Sequence, residues 1–322
     1  MYLIIIIVII ILLLLLFILS LQKEYFNSNN INHQFKLAIQ AVLIIKENIP
    51  FLREWIIYHI NLGVDKIYLY DNTGTIGVDG SDKNKNKYDI KFSELINLTD
   101  DEVNKELQNI LNDYKDNVVY IRWDPRDKDN NIIYGQNISI IDYIKKYGSE
   151  NDYTCFIDTD EFIFSKNNLD LKQYIIENEA DKFDLIQKKF IDRFCSKNKK
   201  IIEMTECIEN INTDGWAIKS IIKNNKIIIS SPNIHIHDIY ITTNNVKKIN
   251  MDDFRFNHYN VNNKQIEWMK GFFNKTNLDK GTDASLLKYK NIIDKLCGDK
   301  CSDENNFINN SYDLSNSCSF WS

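Results

Sequence analysis

The sequence predicts an α/β layer fold with a mainly parallel central sheet, preceded by one N-terminal transmembrane helix. Three observations lead there. Apolar, β-branched runs alternate with stretches of helical spacing through the first half of the chain. The helical stretches stop at glycines, Gly63 and Gly148. Ahead of them, Tyr2–Leu19 is an unbroken apolar run of 18 residues, about the minimum for a membrane span.

That run exceeds the roughly 7–15 residues of a signal-peptide core, and "LQKEYF" after it offers no A-x-A cleavage site. Residues 2–19 therefore read as an uncleaved signal anchor and 20–36 as an Asn-rich linker. Lys23 and Lys36 follow the run and no basic residue precedes it, which by charge alone places the body on the cytoplasmic side. Residues 37–296 form the body, and 297–322 an irregular, polar, Cys-containing tail.

Within the body, "LAIQAVLII" (37–45) reads as a buried parallel strand, and Pro50 suits the first turn of the helix "FLREWIIYHIN". "DKIYLYDN" is the next strand, followed by a solvated loop over 73–87. "DDEVNKELQNILNDY" reads as helix, "NVVYIRW" as strand, "QNISIIDYIKKYG" as helix and "DYTCFID" as a fourth strand. Further on, "LDLKQYIIEN" is predicted helical, while "FDLIQKKF", "WAIKSIIK", "KIIIS" and "NIHIHDIY" are predicted strands. "NKQIEWMKGFFNK" and "ASLLKYKNIIDKL" are predicted helices.

Composition excludes some functions. The net charge is −6 with no long basic stripe, so nucleic acid is not a predicted partner. The six cysteines include no CxxC pair, which argues against a Cys-based zinc site. Cys195 with Cys207, and two of Cys297, Cys301 and Cys318, are candidate disulfides of an oxidising compartment. Cys155 reads as a small buried hydrophobe.

The chemistry concentrates in "CFIDTDEFIF" (155–164), where acids interrupt an apolar strand. In an α/β sheet, ligands bind at the carboxyl ends of strands. Glu47, Asp71 and the Asp158/Asp160 pair are all expected there. In an extended segment Asp158 and Asp160 face the same way, and two carboxylates so close repel unless a cation relieves them. Oxygen ligands suit Mg²⁺ or Mn²⁺. The plainer reading is of acids capping a strand end in water.

"LIIKENIPFLREWIIYHINLGVDKIYLYDNTG" resembles the opening motif of glycosyltransferase family 92 and related family-2-like transferases, with Lys46, Glu47, Glu54, Trp55, Tyr58, His59, Gly63, Tyr70, Asp71 and Asn72 matching in order. Gln136 before "FIDTDEFI" and "NHYN" (257–260) match too, and the similarity runs from about Leu37 to Lys275. Between Lys188 and Thr213 the chain departs from the family pattern, so acceptor choice is what transfers least.

The resemblance implies a GT-A fold with a Rossmann-like nucleotide half, a nucleotide-sugar donor, a glycan or glycoprotein acceptor, and Mn²⁺ (or Mg²⁺). It also implies a membrane-tethered protein of Golgi or ER type II topology with a lumenal body, against the two-lysine charge bias. Asp160, helped by Asp158, would hold the metal, with His237 or His258 as a further ligand and His237 preferred. Glu161 would support the metal site rather than bind it. Glu47, Asp71, Asp158 and Gln136 would bind the donor, and Lys219 would face the diphosphate or a salt-bridge partner. Asp214 leads Glu203 and Glu206 as the general base of an inverting transfer. Trp55 and His59 read as packing residues. Two rivals remain: a haloacid-dehalogenase-like Mg-dependent phosphatase using Lys219 and Asp252/Asp253, and a catalytically inactive membrane-tethered binding protein. Against the phosphatase, over a hundred patterned residues precede the acids, and Phe162 replaces the expected Thr.

Overall fold

A computed structural model describes residues 35–75, 98–190, 200–208, 218–259, 280–298 and 301. The chain divides into two compact units, 1–35 and 36–322, and all that follows concerns the second. The candidate span 2–19 lies outside the described residues. Among the described residues no helix is long and apolar enough to cross a membrane.

Strand β1 (Leu37–Leu43) is buried along its whole length, as its continuous apolar run requires. Its one polar residue, Gln40, donates from Nε2 to Ser139 Oγ at 2.9 Å. Helix α1 (Ile45–Asn61) begins five residues earlier than Pro50 suggests. Ile45 N–H in the first turn is capped from outside by Asp71 Oδ1 (3.3 Å) and Thr73 Oγ1 (3.0 Å), while Ile44 N–H donates to Asn48 Oδ1 of the helix itself (3.1 Å). Gly63, at φ +101°, supplies the left-handed residue that turns the chain out of the helix.

Strand β2 (Lys66–Asp71), helix α2 (Asp100–Asp113), strand β3 (Val118–Arg122), helix α3 (Gln136–Tyr147) and strand β4 (Tyr153–Phe156) follow as expected. Thr99 and Glu102 form a capping box at the start of α2. After these come β5 (Glu161–Phe164), α4 (Leu171–Asn178), β6 (Lys182–Phe190), β7 (Glu206–Ile208) and β8 (Ile218–Lys223). The last elements are β9 (Ile234–His235), β10 (Asp238–Ile239), β11 (Val246–Lys248), β12 (Arg255–Tyr259), β13 (Lys280–Thr282) and α5 (Lys290–Cys297).

The main sheet runs β13-β7-β6-β8-β4-β1-β2-β3. Strands β3, β2, β1 and β4 are mutually parallel, joined by crossover helices. Beyond β4 the sheet is mixed rather than mainly parallel: β8 is antiparallel to both β4 and β6, while β12 is parallel to β6 and antiparallel to β5. A core of Val42, Tyr68, Tyr70, Ile140, Tyr143 and Phe156 fills the space between the parallel strands and α3.

Three local expectations need correction. "KIIIS" is not a strand: Asn224–Lys226 form a 3-10 turn and Ile227 makes a single bridge to Ile241. "NIHIHDIY" is a two-stranded hairpin with Ile236 and His237 in its turn, so His235 and His237 do not share a strand face. "ASLLKYKNIIDKL" splits into a 3-10 segment, Ser285–Tyr289, and α5. The helix expected over 263–275 lies outside the described residues. Cys297 and Cys301 are joined in a disulfide, one of the pairings left open above, and Cys195 lies outside the described residues.

Candidate active site

The parallel strands lie in the order 3-2-1-4, so the chain leaves β1 toward one side and β4 returns on the other. A crevice between the carboxyl ends of β1 and β4 is the binding place such a reversal creates. The acids of "IDTDE" sit at the end of β4.

They do not lie on an extended strand. Glu161 N–H donates to Asp158 O at 3.1 Å, closing a turn between β4 and β5. Glu161 Oε2 in return accepts Asp158 N–H at 2.8 Å. The turn sends the two aspartates to different partners. Asp158 accepts from Gln136 Nε2 and Lys219 Nζ, each at 2.6 Å. Asp160 Oδ2 lies 3.2 Å from His258 Nε2.

Helix α1 fixes the far side of this turn. Strand β5 pairs with β12 along one edge only. Along the other edge, Trp55 Nε1 donates to Glu161 O (2.8 Å) and Tyr58 Oη to Ile163 O (2.5 Å). Ile163 N–H donates to His59 Nε2 (3.4 Å), which leaves the ring proton on Nδ1, facing Trp55 O at 2.8 Å. Burial holds the His59 pKa down at about 3, so the ring is neutral. The "EWIIYH" segment is thus a brace for the acidic turn, in keeping with the packing role expected of Trp55 and His59.

Charge in the site is unevenly balanced. Burial lifts the Glu161 carboxyl to about 7, against the pull of the Lys219 ammonium and with the push of Asp158. Lys219 is fully buried; burial disfavours its charge, but Asp158 and Glu161 outweigh that and raise its pKa. For His258, too, burial lowers and Asp160 raises, and the net shift is upward. Burial and then Lys219 depress His237 to about 4. Burial, reinforced by Asp158, Asp160, Glu47 and Glu161, holds the Tyr134 phenol well above its ordinary value. Glu47 thus belongs to the same acidic neighbourhood as the turn.

Several expected site residues lie elsewhere or serve the fold. Asp71 is at the end of β2, but protein donors take up its carboxylate: Ile45 N–H, Thr73 N–H and Thr73 Oγ1 on Oδ1, and Tyr120 Oη and Arg122 Nη1 on Oδ2. His237 is in the β9–β10 turn, with Nδ1 3.1 Å from Ile218 O, while His258 meets Asp160. Asp214 lies outside the described residues, as does the side chain of Glu206. Glu203 is held by Lys290 Nζ (2.8 Å) and Lys200 N–H (3.0 Å). Asp252 pairs with Lys166 and Asp253 with Asn167, so this acidic pair holds the turn after β5.

Sequence reasoning missed Tyr134 and Gln187, whose Nε2 lies 2.9 Å from His258 Nδ1. Tyr134 stands two residues before Gln136, and Gly135 between them allows the close approach: a Cβ there would lie 2.4 Å from Pro125 Cγ and 2.8 Å from Trp123 Nε1. No local signal marks Gln187; only the pairing of β12 with β6 brings it to His258.

The donor set fits a divalent cation held by two protein side chains. Among the described residues no three His, Cys, Asp or Glu side chains are grouped to hold one. Asp160 Oδ2 and His258 Nε2, 3.2 Å apart, match two adjacent ligands of one ion, which bonds near 2.1 Å at right angles set about 3 Å apart. Mg²⁺-type sites commonly use one or two carboxylates and fill the remaining positions with phosphates and water.

Comparison with known proteins gives one family match: a family model described as glycosyltransferase family 92 covers residues 94–297. No curated protein matches the sequence. Among solved structures, the chain is similar to S. aureus TarS 1-349 in complex with UDP-GlcNAc, at 11% identity and a TM-score of 0.39, over 70% of this chain and 59% of that one. It is also similar to the mannosyltransferase Ktr4p from S. cerevisiae, at 14% identity and a TM-score of 0.27, over 48% of this chain and 39% of that one. The chain therefore spans about 60% or less of the length of these structures.

Proposed function

The chain belongs to glycosyltransferase family 92, and from this premise we propose that it moves a sugar from a nucleotide-sugar donor to a glycan or glycoprotein acceptor, with a divalent cation, Mn²⁺ or Mg²⁺, and with inversion at the transferred carbon. The observation that carries the reading is the Asp158–Asp160–Glu161 turn at the carboxyl end of β4, with Lys219 on one aspartate and His258 on the other.

In this reading Asp160 and His258 hold the cation, and His237 gives up the ligand role that the resemblance had preferred for it. The bound cation supplies Lewis-acid neutralisation of the charge that gathers on the departing nucleoside diphosphate. Asp158, oriented by Gln136 and Lys219, presents carboxylate lone pairs to hydroxyl groups of the donor. Tyr134, kept protonated by burial and by its acidic neighbours, offers a hydrogen-bond donor. Glu47 lies beside them to accept from the nucleoside, whereas the commitments of Asp71 make it a support for the donor site. Asp214 is the proposed base for the acceptor hydroxyl, whose oxygen attacks the anomeric carbon as the bond to the diphosphate breaks. The membrane tether and lumenal body remain part of the proposal on the strength of the apolar run and the family.

Donor hydrolysis or transfer by the full chain with Mn²⁺, then with excess EDTA, tests this. Activity should vanish with EDTA and with Asp160→Ala. Turnover of a phosphomonoester in place of a nucleotide sugar would overturn the transferase reading in favour of a phosphatase.

A further inference from the structure

Glu161 Oε1 is buried and accepts no hydrogen bond. The other oxygen of this carboxylate is engaged, by Asp158 N–H at 2.8 Å and by the Lys219 ammonium at 3.4 Å. Oε1 points instead toward His258, 3.7 Å from Nδ1. A buried acceptor left open carries the uncompensated cost of its lost hydration, so a structure that keeps one has a use for it.

The hydrogen bonds of His258 show what that use is. Gln187 Nε2 lies 2.9 Å from Nδ1, and an amide nitrogen donates. Nδ1 is then the acceptor and the ring proton sits on Nε2, directed at Asp160 Oδ2. A protonated imidazole nitrogen has no lone pair for a cation. To bind through Nε2, the ring must carry its proton on Nδ1 instead, and that N–H needs an acceptor. The Gln187 amide nitrogen cannot serve. Glu161 Oε1 can.

We propose that Glu161 is a positioning residue that converts His258 from a hydrogen-bond donor to Asp160 into a cation ligand, by accepting the imidazole N–H from Nδ1 through its open oxygen Oε1. The ring keeps one proton throughout; only the nitrogen that carries it changes. Lys219 and Asp158 N–H hold the carboxylate in place from its other oxygen, so accepting from His258 requires no new rotamer of Glu161. This inference rests on the cation reading above and adds the residue that prepares the site.

Mn²⁺ alone, titrated into the full chain and followed by the electron paramagnetic resonance of the free ion, tests it. Glu161→Gln should weaken Mn²⁺ binding by about 10–100-fold, the usual effect of removing a group that orients a ligating histidine. Gln187→Leu should weaken it much less. Affinity unchanged in Glu161→Gln, or lost instead in Gln187→Leu, would overturn the role of Glu161, because a turned Gln187 amide would then be the acceptor. Asp160→Asn separates this from the underlying reading: Mn²⁺ binding that survives in Asp160→Asn sinks the cation site itself. A second measurement needs no variant to fold. With five histidines in the chain, the ¹⁵N shifts of His258 can be followed as Mg²⁺ is added to the unaltered protein. The proton should move from Nε2 to Nδ1, and a ring that stays protonated on Nε2 under saturating Mg²⁺ overturns the proposal.

Discussion

The ammonium of Lys219 lies 2.6 Å from Asp158 Oδ2, on a side chain with no exposure at all. Its other carboxylate neighbour, Glu161, is just as buried. Removing one member of a buried ion pair leaves the rest uncompensated and costs about 3–5 kcal/mol. Lys219→Met should fall near the low end, because Asp158 keeps some exposure to water. Urea denaturation of the full chain gives the number, and a loss below about 1 kcal/mol would make Lys219 a bystander.

The two candidate histidines can be told apart by substitution. His258→Ala should cut Mn²⁺-dependent activity and Mn²⁺ affinity together, while His237→Ala should leave Mn²⁺ affinity unchanged. Calorimetric titration of both variants decides between them, and the reverse order would restore His237 as the ligand.

Asp71→Asn should act through stability more than through donor binding. The carboxylate accepts from the first turn of α1, from Thr73, from Tyr120 and from Arg122. Bonds to a charged group contribute about 1.5–3 kcal/mol, and the amide can keep only some of them. A variant of unchanged stability but much weaker donor binding would return Asp71 to the donor site.

His59 gives a pH dependence with a definite sign. The folded ring has a pKa of about 3 against an ordinary 6.5, so only the unfolded chain takes up its proton between these values. Stability from this residue is complete above pH 6.5 and is lost as pH falls toward 3, roughly 5 kcal/mol in all. Glu161 works in the opposite direction, raised from 4.5 to about 7, so its contribution is complete below pH 4.5 and fades as pH rises through 7. The stability difference between the unaltered chain and His59→Gln isolates the first effect. It should narrow on acidification, and a constant difference would refute it.

Most elements from β1 to β4 were legible because apolar runs such as 37–43 and helical spacings such as 136–147 are long enough to show a pattern. The later strands were not. β5, β7, β11 and β13 have three or four residues each, too few for a period to emerge. In β12 only Phe256 and Tyr259 are apolar beside Arg255, Asn257 and His258, whose partners Asp283, Ser285 and Asp160 come from elsewhere in the chain. The acids of the site were visible as charges inside an apolar run. Their assignment to Gln136, Lys219 and His258 was not, because it depends on a turn at 158–161 where an extended segment was expected. That His258 rather than His237 meets Asp160 follows from the antiparallel register of β12 on β5, which sets His258 opposite Glu161.

The brace between α1 and β5 grips main-chain atoms. Trp55, Tyr58 and His59 bind the carbonyls of residues 161 and 163 and the amide of 163, atoms that every residue type except proline provides. Tolerance to substitution should therefore be lopsided. Within β5, Ile163 can exchange for another apolar residue of similar size while the strand keeps its alignment. The three side chains of α1 have no such latitude, since each reaches its target only by its own length and polar tip. A scan of all substitutions across residues 55–59 and 161–164 would show that asymmetry as a rigid helix beside a permissive strand, with Glu161 the one strand position as intolerant as the helix.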